Sequence, residues 1–170
     1  MAKLGIALPS RHASMATSVC RFERISQAIH KSYVRIVRND PVPLRLSVPA
    51  KAYQHFRKRA FTLLSYYVDQ DLTQAFHWSL AMADALPKKE RTSLYENPFY
   101  WGLLAMAKAA AVSDAAVPFM SPNKLRELSR HLQLAHQGRI RPDDLETFLK
   151  ESRKQKRGQA MAKHMERMAA

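Results

Sequence analysis

Glycine is scarce. Gly5, Gly102, Gly138 and Gly158 are the only four in 170 residues and none lies near another, so no glycine loop is present to cradle a nucleotide phosphate. Cysteine is scarcer still: Cys20 stands alone, which excludes an internal disulfide and a cysteine-rich zinc site and suits a reducing compartment. A chain of this length buries roughly two thirds of its unfolded surface, so it needs neither device to fold. Long apolar runs are also missing. The longest, Trp101 to Val112, is interrupted by Lys108 and falls short of the roughly 20 residues that a bilayer span requires. The short run Leu4 to Leu8 ends at Pro9, Ser10, Arg11 and His12, too early for a secretory signal. With 46% apolar residues, the composition describes one globular domain with an appendage, excludes collagen-like, mucin-like and wholly disordered chains, and points to a cytoplasmic protein without a membrane partner.

Catalytic patterns are equally sparse. No nucleophile elbow accompanies Cys20 or any serine. His131 and His136 lie five residues apart on an expected helix and diverge by about 140°, unlike an i, i+4 metal pair. Asp143, Asp144 and Glu146 are accounted for as the acidic start of a helix. The sequence reads as a non-enzyme with no cofactor and no metal.

What is present in excess is positive charge, 28 Lys or Arg against 14 Asp or Glu. It is unevenly placed. Residues 1–59 carry 12 bases and two acids, a net +10; residues 60–148 carry nine bases and ten acids, a net −1; residues 149–170 carry seven bases and two acids, a net +5. A basic first third beside a neutral middle turns one surface toward a polyanion, of which nucleic acid is the usual one.

Punctuation gives four segments: a mobile basic lead over 1–21, a unit over 22–89, a helical extension over 90–150 and a basic tail over 151–170. Phe22, Ile25, Ala28 and Ile29 fall at helical spacing, whereas Tyr33, Val34, Ile36 and Val37 turn β-like. Asn39, Asp40, Pro41, Val42 and Pro43 then break the chain. Leu44, Arg45, Leu46, Ser47 and Val48 alternate with period two, a short half-buried strand closed by Pro49. Tyr53, Phe56, Ala60, Leu63, Leu64 and Tyr67 predict an amphipathic helix, the polar Asp69, Gln70 and Asp71 a turn whose aspartates cap the next helix, and Leu72, Ala75, Phe76, Ser79, Leu80, Ala83 and Leu86 a second helix ending at Pro87. Asn97 with Pro98, Ser121 with Pro122, and Pro142 with Asp143 and Asp144 open three more helices, and Gly138 stops the middle one. Trp78, Trp101, Tyr66, Tyr67, Phe99 and Tyr100 sit at helical apolar positions and read as core.

A lone strand leaves ladder groups unpaired. Pairing with the same strand of a second copy would give a two-fold ribbon whose outer face carries Arg45 and Ser47; pairing with Ser32 to Arg38 would give an ordinary hairpin. The order strand, helix, turn, helix from Pro43 to Leu86 resembles the ribbon-helix-helix family of DNA-binding transcription factors. It rests on the run from Leu44 to Pro49, on Tyr53 and Phe56 in the first helix, and on Leu72, Ala75 and Phe76 in the second. The resemblance implies a mostly α homodimer, or a higher even oligomer, built on an antiparallel intersubunit ribbon, with residues 90–150 as an added helical extension. It further implies that Arg45, Ser47 and Pro43 read bases of double-stranded DNA, and that Leu44, Leu46, Val48, Phe56, Leu72 and Phe76 form the dimer core. Asp69 to Leu72 would clamp a phosphate, with Gln70 and Thr73 as polar contacts; because Asp69 and Asp71 repel an anion there, Lys51, Arg57, Lys58 and Arg59 would carry more of the backbone binding. By that resemblance the chain is a nucleoid-associated transcriptional regulator, an activator that contacts RNA polymerase, serving a mobile element or a plasmid conjugative-transfer system. Two other readings stay open: a basic helical RNA-binding or ribonucleoprotein-assembly protein that reads no sequence, and an adaptor or inhibitor that binds an acidic protein surface.

Overall fold

The computed structural model describes residues 14–39, 50–87, 93–113, 120–152 and 154. The described residues form helices: α1 (Met15–Asn39), α2 (Ala50–Asp69), α3 (Gln74–Met82), α4 (Pro98–Ser113), α5 (Pro122–Gln137) and a short α6 (145–152).

α4 is the centre of the bundle. Its Phe99, Tyr100, Trp101, Leu103, Ala105, Met106, Ala109 and Ala110 are all buried, and a helix that is apolar around most of its circumference is stable only when neighbours enclose it. α1, α2, α3 and α5 all pack against it. α1 and α2 run antiparallel, since Phe22 near the start of α1 meets Tyr67 near the end of α2 at a ring separation of 5.3 Å while Tyr33 meets Phe56 at 5.8 Å. Phe76 of α3 completes a triangle with the first pair, 5.0 Å from Phe22 and 5.6 Å from Tyr67, and each such aromatic contact contributes about 0.5–1.5 kcal/mol beyond area burial. Gly102 lets α4 approach this triangle: a Cβ there would overlap Leu64 Cδ2 and lie 3.2 Å from Phe76 Cε2.

The helix starts follow the sequence closely. Asn97 Oδ1 accepts from the Tyr100 N–H at 3.0 Å, and Ser121 Oγ accepts from the Lys124 N–H at 3.4 Å with Pro122 in the first turn. The helix ends do not use glycine. Asp71, Asp84 and Arg139 take positive φ of 56°, 48° and 51°, closing α2, α3 and α5 with backbone bonds from Leu72, Ala85 and Ile140 to the carbonyls of Tyr67, Leu80 and Ala135. Asp71 is therefore a C-terminal closure of α2 and not a cap for α3, whose N-cap Thr73 makes no side-chain capping bond. Gly138 keeps φ at −76° and leaves the left-handed position to Arg139.

The ribbon-helix-helix expectation is overturned. The mostly α class holds, but no strand occurs among the described residues, and Ser32 to Arg38, the alternative hairpin partner, are the last turns of α1. The β-like run Tyr33, Val34, Ile36, Val37 is a helix because Tyr33 and Val34 continue the buried side set by Phe22, Ile25 and Ile29. Pro43, Leu44, Arg45, Leu46, Ser47 and Val48 lie outside the described residues. The remaining positions assigned to a dimer core, Phe56, Leu72 and Phe76, are 2%, 7% and 0% exposed within a single chain: α1 and α4 occupy the faces that a partner subunit would need. α1 also begins at Met15, inside the segment read as a mobile lead.

Burial raises the Tyr67 phenol well above its usual range, and its Oη donates to the Ser18 carbonyl at 2.8 Å. The unfolded chain releases this proton near pH 10 while the folded one keeps it, so stability falls as pH rises above about 10. Tyr67→Phe is expected to cost about 1 kcal/mol at neutral pH and to flatten the alkaline decline, as read from thermal melts between pH 8 and 11; an unchanged alkaline limb would contradict the assignment.

Candidate nucleic-acid interface

α1 is divided lengthwise. Val19, Phe22, Ile25, Ser26, Ile29, His30, Tyr33 and Val34 are buried, while Arg24, Lys31, Arg35 and Arg38 are exposed. At 100° per residue these four cations fall within an arc of about 60°, in a row about 21 Å long. Arg21 lies half-exposed at the edge of the row. The one acid in α1, Glu23, is turned to the flank, where its Oε1 accepts from Ser79 Oγ at 2.8 Å. Among the described residues, Arg24, Lys31 and Arg35 form no ion pair.

Such a row is unfavourable by itself. Lys31 and Arg35 are like charges at i, i+4, Arg35 and Arg38 at i, i+3, and Arg21 and Arg24 at i, i+3, each pair destabilising a helix by about 0.2–0.5 kcal/mol. Other surfaces mix their signs: on α5, Glu127 stands between Arg126 and Arg130 in an open depression that also includes Asn123 and His131. Among the described residues no carboxylate pairs with Arg24, Lys31 or Arg35, and an external anion would relieve their charge.

The sequence-selected cations of α2 divide differently. The Arg57 guanidinium is buried; Nε donates to Glu146 Oε1 at 2.9 Å and Nη2 to Glu146 Oε2 at 2.5 Å, and the same group lies 4.5 Å from the centre of the Tyr53 ring. It fastens α6 to α2 and is not presented to a ligand. Lys58 pairs with Asp143, whose carboxyl is held below the usual carboxylate range chiefly by this bond. Lys51 is exposed and Arg59 half-exposed. Burial, and then the charges of Arg59 and Lys58, hold the His55 imidazole below its usual value, so it adds no charge at neutral pH. Gln70, between exposed Asp69 and Asp71, and Thr73, two residues further on, are half-buried in the α2–α3 turn. The Ala75 and Phe76 N–H groups already donate to the carbonyls of Leu72 and Thr73 at 3.0 Å, which leaves a phosphate clamp there with little to offer. Asp69 is occupied with His136 at 3.0 Å, and that ring stacks edgewise on Phe99 at 5.3 Å.

The base-reading positions Arg45, Ser47 and Pro43 lie outside the described residues. What sequence reasoning missed is the row on α1. Its four-and-three spacing was visible, but a β-like reading of residues 33–37 cut the helix before the row was complete. Among the described residues no group of three or more metal-ligating side chains occurs, and no helix is long and apolar enough to cross a membrane.

Arg57→Ala is expected to destabilise the fold by about 1.5–3 kcal/mol, the loss of charge-assisted bonds to Glu146, with nucleic-acid affinity of the folded fraction unchanged. Chemical denaturation and binding titrations on the same preparation check both; a stable variant with weakened binding would return Arg57 to the interface. Compared with known proteins, the chain matches no protein family, no curated protein and no solved structure.

Proposed function

We propose that the protein binds nucleic acid along the phosphate backbone, with the outer row of α1 as its principal contact. The observation that carries this reading is the alignment of Arg24, Lys31, Arg35 and Arg38 along one side of α1, the first three without an ion pair among the described residues, set in a chain of net charge +14. A polyanion neutralises the row by releasing its own condensed counterions, a driving force that needs no base recognition. Arginine suits the task because its fork donates two bonds to one phosphate. Such binding is sequence-tolerant, and it favours a basic helical nucleic-acid-binding or ribonucleoprotein-assembly protein over a reader of one operator. Lys51, exposed, and Arg59, half-exposed, add two further cations on α2.

Four phosphate contacts give a slope of log K against log salt of roughly −3 to −4. Arg24→Ala, Lys31→Ala and Arg35→Ala together are expected to make that slope shallower by about 2–3, measured by fluorescence anisotropy between 50 and 300 mM salt. A slope and affinity equal to those of the unmodified chain would sink the proposal.

A second outcome separates a functional row from an ordinary solvated one. Lys31→Glu replaces a repulsive i, i+4 pair by an attractive one with Arg35, so the variant is expected to be more stable by a few tenths of a kcal/mol up to about 1 while binding at least tenfold more weakly. Loss of stability without loss of binding would point to a structural role for Lys31.

A further inference from the structure

α3 shows water a side that its composition does not lead one to expect. Gln74, Trp78 and Met82 recur every four residues along it. Trp78 is 53% exposed and Met82 75% exposed, and Tyr95, 80% exposed, stands at the Gln74 end of this side, its Oη accepting from Gln74 Nε2 at 3.0 Å. The other tryptophan is different: Trp101 is 8% exposed and sits 6.0 Å from the His77 ring. Burying an indole stabilises a fold by more than almost any other side chain, and Trp78 forgoes that gain.

The position of this side relative to α1 gives it a use. Ser79, next to Trp78, donates to Glu23, next to Arg24. That bond ties the flank of α3 to the flank of α1, and axes of packed helices lie about 8–10 Å apart. Going around α3 from Ser79, Met82 and then Trp78 follow on the solvent side. The indole therefore lies on the solvent side of α3, next along the surface from the flank of α1 that carries Glu23, the residue before Arg24.

We propose that Trp78, flanked by Tyr95 and Met82, is a stacking platform for unpaired bases, so that the ligand class of the α1 row is single-stranded polynucleotide, RNA or DNA, in preference to duplex. This rests on the phosphate-binding reading above and narrows it. Two features of the molecule select this occupant over a protein: the adjoining α1 carries five bases and one acid, which complements a phosphate chain, and the exposed apolar groups include two aromatic planes, which complement bases. A duplex hides its base faces and could use the row alone; a single strand uses both, and stacking tolerates any sequence because every base has a π face.

The test uses the full chain with three probes, a 15-nucleotide oligo-dT, a 15-nucleotide oligo-U and a 15-base-pair duplex. Single strands are expected to bind more tightly than the duplex and to quench the indole emission, and Trp78→Leu is expected to abolish the quenching and weaken single-strand binding about tenfold or more. Duplex affinity and the salt slope should stay as they were, since no phosphate contact is lost. Trp78 is half exposed, so the leucine variant is expected to keep the fold, checked by an unchanged melting temperature. Tighter oligo-U binding assigns RNA as the source and tighter oligo-dT binding assigns DNA; either supports the platform. Unchanged single-strand affinity in Trp78→Leu, or equal losses on single strand and duplex, overturns it while leaving phosphate binding by α1 intact. Binding of no probe overturns both. A doubled solution mass that Trp78→Leu halves, with no quenching, overturns the platform in favour of self-association.

Discussion

A row of like charges on a helix tends to unwind or disorder it, and α1 withstands this because its other side is held by rings. Phe22, Tyr67 and Phe76 meet within 5.0–5.6 Å at the junction of α1, α2 and α3, and Tyr67 reaches past Phe22 to hold the Ser18 carbonyl. Removing one such ring from a core costs about 3–5 kcal/mol, several times the repulsion summed along the cationic side. The aromatic junction therefore holds α1 as a helix, and the alignment of Arg24, Lys31, Arg35 and Arg38 follows from it. Gly102 contributes from below, by admitting α4 against Leu64 and Phe76.

Those elements whose signals are local were legible in the sequence. Asn97 with Pro98 and Ser121 with Pro122 open α4 and α5 as expected, because caps and N1 prolines act within one turn. Leu125, Leu128, Leu132 and Ala135 are buried on α5 as their spacing required. The errors arose where tertiary packing overrides a local preference. Tyr33, Val34, Ile36 and Val37 are β-branched or aromatic and suggest a strand in isolation, yet Phe56 and the rest of the core hold Tyr33 and Val34 in a helix. Once that run is helical, the partner needed for a hairpin is gone, and the faces reserved for a second subunit are covered by α1 itself.

Charge proved more informative by position than by residue type. Arg57, in the longest unbroken basic run of the sequence, is consumed by Glu146, 89 residues away along the chain, a pairing that no window of sequence reveals. Arg24, Lys31 and Arg35 are scattered among apolar residues and attract no notice as a cluster, but the helix aligns them. The same applies to the tryptophans: both occupy apolar helical positions, and only the packing of α4 against α3 buries Trp101 and leaves Trp78 outside. The fold thus separates structural cations and rings from those left facing solvent, which the composition could not do.

The proposed contact between α1 and nucleic acid can be tested directly through the single cysteine. Cys20 is exposed, one turn before Arg24 on the same side of α1, and accepts a thiol-reactive photo-cross-linker without any substitution. On illumination with a labelled oligonucleotide, the account predicts a covalent adduct at Cys20 that disappears as salt is raised, and none from a cross-linker placed on α5 by Arg130→Cys with Cys20→Ser. Cross-linking from α5 with none from Cys20 would contradict it.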